Sequence, residues 1–221
     1  GLKLPEEVIG DLWFHGFTSA ERILMPDTVG GDLEWADLKS VKKLQLPRKV
    51  GGGIFLHYLK NAEEITMPKT VGGEVDLSSL ISAQGLKLPE EVGGGIHLDS
   101  LTNIEGLTMP NTVGGNVDLS SLISSHGLKL PEEVGGHLNL SALKIAQGLK
   151  LPKEVGGNIG LRDLRFAKGI VFPENIGGGI ELDHLKSLEG LRLPYNFKLD
   201  QIMWNREIKK IIKENPEKYF R

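Results

Sequence analysis

Proline recurs in this chain at a constant interval. Pro5, Pro26, Pro47, Pro68, Pro89, Pro110, Pro131, Pro152, Pro173 and Pro194 are each 21 residues from the next, with no insertion. A fixed period of this length signals a repeat architecture, in which no unit can bury its apolar face alone and each must stack on its neighbours. Aligned on the prolines, the unit reads G-L-x-L-P-x-x-V-G-G-x-I-x-L-x-x-L-x-x-A-x, well seen in residues 85–105 (GLKLPEEVGGGIHLDSLTNIE). A weaker 42-residue alternation overlies it: units with Met67-Pro68 and Met109-Pro110 take turns with units like Leu88-Pro89, as growth by duplication of a pair would leave them.

Each unit holds two L-x-L steps, such as Leu86/Leu88 and Ile96/Leu98, and apolar residues two apart mark a short strand with one buried face. Pro89 ends the first step because proline cannot donate to a ladder. Gly93-Gly94 are expected to supply positive-φ freedom for a tight corner. Val92, Leu101 and Ile104 fall between the strands and are expected to point inward at the corners. One proline and usually two glycines per unit exclude long helices, at ~3 kcal/mol per interior proline and ~1 per glycine. The chain therefore predicts a mainly β fold, either a parallel β-solenoid or a leucine-rich-repeat-like arc. Ten rungs at about 4.8 Å each span roughly 45 Å.

The two ends depart from the pattern. Phe14, Phe17 and Trp35, with Trp13 beside them, put bulk where later units carry Leu, and are expected to close the N-terminal end of the core. After Pro194 the glycine pair is lost. Leu199, Ile202, Met203, Ile208, Ile211 and Ile212 then share one face at helical spacing, up to Asn215-Pro216. The expected organisation is a repeat solenoid over 1–197 and a helical cap over 198–221 that covers the last strand edge.

Composition narrows function only by exclusion. A net charge of −3 gives no reason to expect nucleic acid or an anionic membrane as partner, and no apolar run approaches the ~20 residues that span a bilayer. With no cysteine, neither disulfides nor thiolate metal sites contribute. The compartment stays open between the cytoplasm and a bacterial secretory route. The chain starts at Gly1, already in phase with the repeat and without a visible signal peptide, as a piece of a longer protein would.

The units resemble the leucine-rich-repeat-like tandem proteins of bacteria and phages, which carry runs of the type L-x-L-P-x-x-V-G-G-x-L-x-L-x-x-L; the resemblance covers residues 1 to about 194. It implies a repeat architecture serving protein–protein interaction. The unit departs from the leucine-rich repeats of secreted bacterial effectors in lacking the asparagine that closes L-x-x-L-x-L-x-x-N and a second L-P pair, so the ubiquitin-ligase activity of that group is not carried over.

In a stack, equivalent positions form columns, and function is sought in those that vary. One outward column runs Trp13, Glu34, Phe55, Asp76, His97, Asp118, Asn139, Gly160, Glu181; another runs His15, Ala36, His57, Ser78, Asp99, Ser120, Ser141, Arg162, Asp183. Near the N-terminal end they bring Trp13, His15, Phe55, His57 and the neighbouring Tyr58 onto one region, and with His97 further along the first column these are the candidate anchors for a protein partner. His15 and His57 sit two rungs, roughly 9.6 Å, apart, too far to share a zinc ion. No cofactor is expected. The carboxylate pairs Asp32/Glu34 and Glu74/Asp76, about 6.5–7 Å apart on one strand, are compatible with acid/base work on a glycosidic bond, the least favoured reading. Basic columns such as Lys39, Lys60, Lys144, Arg165 and Lys186 lack the interleaved aromatics of a nucleic-acid surface. V-G-G recurs without a phosphate-loop Lys-Ser/Thr. The reading favoured is a non-enzymatic binding scaffold; the alternative is a structural element that self-assembles through its open solenoid end.

Overall fold

The computed structural model describes residues 2–21, 23–39, 41, 44–62, 65–194, 197–198, 201–203 and 206–220, with no account of the side chains at 202, 203, 206 and 207. It is a parallel β-solenoid whose turns follow the 21-residue period. Among the described residues, two parallel sheets run its length: one of nine strands, from Glu7–Val8 to Asn175–Ile176, and one of ten, from Leu12–Trp13 through Ile180–Glu181 to Ile202–Met203. Each strand is two residues long and pairs with its equivalents one turn away, as in Val75 between Ile54 and Ile96.

The strands are not all where the L-x-L steps place them. The second step forms the ten-stranded sheet, as expected. The first gives only one paired strand, Leu2–Lys3 with Ile23–Leu24, and then isolated bridges such as Gln45 to Thr66 and Lys87 to Thr108. The proline that follows has no N–H with which to extend a ladder. The nine-stranded sheet lies instead at the valine, so Val92 points inward from the strand Glu91–Val92 rather than from a corner.

The glycine pair also has a different role from the one expected. Among the described residues, positive φ occurs at Gly16, Gly85, Gly106, Gly127, Gly148, Gly169 and Gly190, and Gly93 and Gly94 are not in that set. The first glycine of each pair is required by proximity. A Cβ on Gly72 would stand inside van der Waals contact of the carbonyl oxygen of Gly51, and the same holds along the column through Gly177. Removing the side chain lets the inter-turn ladder continue through the corner, with Gly51 N donating to the Val29 carbonyl (2.8 Å) and Gly52 N to that of Gly31 (2.9 Å). The bare column also leaves an open trough of about 820 Å³ along the nine-stranded sheet. In the first turn this position is Ile9, 88% exposed. By the geometry of the column, its side chain projects from the N-terminal edge.

The core is a continuous column of Val, Leu and Ile, with Leu33, Leu56, Leu77, Ile96 and Leu98 fully buried. At the N-terminal end Phe14 stacks on the buried Trp35 (4.3 Å between centroids), whose indole N–H donates to the Phe17 carbonyl (2.6 Å). These two rings close the core as expected. Phe17 stays partly exposed, edge-on to Phe14.

The C-terminal segment carries the expected helix, but a strand precedes it. Ile202–Met203 is a parallel strand on Ile180–Glu181, offset by one residue from the repeat register, and Leu199 lies outside the described residues. The edge N–H and C=O groups of the last turn are better satisfied by a strand than by a helix packed over them. Helix α1 (Arg206–Glu214) follows and buries Ile212 completely, while Ile211, expected on the same face, is exposed. A second helix, α2 (Pro216–Tyr219), brings the tail back to the stack. Leu193 N donates to the Tyr219 carbonyl (2.7 Å), the Arg192 guanidinium to the Lys218 carbonyl (2.7 Å), and Tyr219 is buried.

Candidate partner-binding surface

The outward column of the ten-stranded sheet is in register from Trp13 through Glu34, Phe55, Asp76 and His97 to Asp118. Strand alternation sends Leu12, Ile54 and Ile96 into the core and the following residue outward. Trp13 is 58% exposed and meets the His15 ring edge-on, with centroids 6.1 Å apart. Phe55 and His57 form a second, tilted pair at 5.8 Å. The Phe55 ring lies across Gly53, where a Cβ would meet ring carbons at 2.7 Å. Tyr58, on the turn after His57, is 59% exposed. Trp13, Phe55 and His97 share the outward column, His15 and His57 pair with the first two, and Tyr58 lies on the adjoining turn, so the six do not form one ring cluster. Two aromatic–histidine pairs are separated by the Glu34 turn.

Two of the candidate histidines are tied to carboxylates. His57 Nδ1 stands 3.0 Å from Asp76 Oδ2, and His97 Nε2 stands 3.7 Å from Glu74 Oε2. These contacts, and bonds to backbone, occupy most of the carboxylates considered as acid/base pairs. Asp76 Oδ1 accepts from Ser78 N (2.9 Å), and Asp32 Oδ1 accepts from Gly53 N (2.6 Å). Asp32 belongs to a side-chain ladder along this corner, in which Asp11 accepts from Asp32 N and, further along, Asn116 from His137 N, His137 Nδ1 from Asn158 N and Asn158 from Gly179 N. Each run ends on a glycine, which has no side chain to pass the bond on. Among the described residues no group of three or more His, Asp or Glu side chains is placed to hold a metal ion, and no helix is long and apolar enough to cross a membrane.

One residue with unusual chemistry escaped the sequence reading. Asp99 sits in the neighbouring column between Ser78 and Ser120, and among the described residues its buried Oδ2 has no hydrogen-bond partner. Burial first, then the charge of Asp118 and, more weakly, that of Asp76, pushes its carboxyl above the ordinary carboxylate range; a backbone hydrogen bond and His97 pull the other way. Asp99 lies between Ser78 and Ser120 in its own column and beside Asp76 and Asp118 of the next, a juxtaposition made by adjacent turns and by no local sequence pattern. No known family model, curated protein or solved structure matches this chain.

Proposed function

We propose that this chain is a non-enzymatic scaffold that binds a protein partner through the outward face of the ten-stranded sheet at its N-terminal half, with Trp13, His15, Phe55, His57, Tyr58 and His97 as contact residues. Trp13 carries the proposal. A tryptophan more than half exposed on a rigid strand contributes little to the core while Phe14 and Trp35 close it, and a pre-positioned aromatic is the kind of side chain that anchors interfaces at low entropic cost. The resemblance to the leucine-rich-repeat-like proteins of bacteria and phages, itself part of the proposal, supports the same reading.

Peptide-display selection against the intact protein tests it. Binding by the selected ligands should fall about ten-fold or more in Trp13→Ala and in Tyr58→Ala, while melting temperature shifts by no more than about 2 °C. A collapse of stability in Trp13→Ala would place the indole in the fold rather than in a site. Undiminished binding in both variants would move the interface elsewhere.

A further inference from the structure

One column on another side of the rung has a structural duty that two adjacent turns abandon. In most turns it carries Ser or Asn, whose side-chain oxygen accepts the N–H two residues on: Ser82 from Gln84 (3.4 Å), Asn103 from Glu105 (3.0 Å), Ser124 from His126 (3.4 Å) and Ser187 from Glu189 (3.1 Å). The bond closes the turn into the next positive-φ glycine, a standard use of these side chains. Ile145 and Phe166 occupy the column in consecutive turns. Neither can accept that bond, and each is 60% exposed, so neither substitution returns buried apolar area to the core. A local rule broken twice in succession, by side chains left mostly in solvent, is the pattern expected of a functional surface.

The surroundings define what would dock there. Ile145, Ala146, Gln147 and Phe166 line an open concavity of about 610 Å³, with Lys144 and Lys168 at its margin. The partly exposed Ile123 adjoins it, its carbonyl bonded by Lys144 N and Ile145 N. Lys144, Arg165 and Lys186 stack beside the apolar column on successive turns, about 4.8 Å apart. Lys168 is paired with Glu189 (2.6 Å), but among the described residues no carboxylate pairs with the three stacked cations. Apolar contact flanked by one sign of charge selects a complementary ligand.

The geometry points to a second docking surface here, for an extended acidic segment of a partner protein: a bulky apolar side chain enters beside Ile145 and Phe166, and flanking carboxylates meet Lys144, Arg165 and Lys186. It lies in different columns from Trp13 and stands independently of the N-terminal proposal.

The test is fluorescence polarisation with a labelled short acidic peptide carrying a central phenylalanine, against the whole chain. Saturable binding is expected, weakened by salt and about ten-fold or more weaker for the Phe166→Ser/Ile145→Ser double variant and for Arg165→Glu. Trp13→Ala should bind the peptide like the parent chain, which separates this surface from the first. Because Ser restores the turn bond, the double variant should melt no lower than the parent. A marked fall in its melting temperature would assign the two side chains to the fold and overturn the proposal. So would the absence of saturable binding, equal binding by a lysine-substituted peptide, or adsorption to anionic phosphatidylserine vesicles without peptide binding, which would make this a lipid-facing patch.

Discussion

A methyl group meets different obstacles at the two kinds of glycine in the stack. On Gly72 it would be driven into the carbonyl oxygen of Gly51, backbone against backbone, with no flexible side chain to yield. On Gly85, at φ +73°, it would meet no atom within 4 Å, and only the left-handed backbone conformation resists it. Gly72→Ala is therefore expected to cost about 3 kcal/mol or more, and Gly85→Ala about 1 kcal/mol, as read from urea-unfolding midpoints. Similar losses at both positions would mean that the stack relaxes around the inserted carbon. This distinction was not legible in the sequence, where Gly93-Gly94 resembles any turn. A requirement for close approach depends on what lies one turn below, which local pattern does not encode. The same limit hid Asp99, whose burial and acidic neighbours come from adjacent strands.

At the scale of strands and columns, the period alone identified the inward-facing positions, because any residue that recurs every 21 positions meets its own copies. It did not locate every strand. Hydrogen-bonding capacity, removed by proline after the first L-x-L step, decided where pairing could persist, and at the C-terminus the need to satisfy the last edge turned Ile202–Met203 into a strand. The outward column does carry the predicted aromatics, but as two pairs rather than one cluster. Asp99 gives this scale its own prediction. Its folded-state pKa is raised, so the folded chain holds the proton more tightly than the unfolded one. Its contribution is most favourable below the unfolded pKa and is lost as pH rises through the folded value. Asp99→Ser, which matches Ser78, Ser120 and Ser141 in the column, should stabilise the fold by roughly 0.5 kcal/mol at neutral pH and add no such gain below about pH 3. Chemical unfolding at the two pH values checks this, and an equal gain at both would rule out the carboxylate charge as the cause.

The whole molecule is a stack whose two ends are finished differently. Strand Ile202–Met203 and the two short helices cover the C-terminal edge, with Ile212 and Tyr219 buried against it. The N-terminal edge carries Ile9, in the column where every later turn through Gly177 needs a glycine. Residues 1–189 are nine full periods, so a chain cut after Glu189 would present an edge onto which residue 1 of another copy falls in phase. Such a truncated chain should stay short, whereas the same truncation with Ile9→Gly should elongate with concentration in light scattering. Equal growth of the two would show that Ile9 is no barrier. In the language of polymer chemistry, Ile9 is expected to act as a chain terminator for that truncated stack: with the covering strand and helices gone, one branched side chain would set the degree of polymerisation.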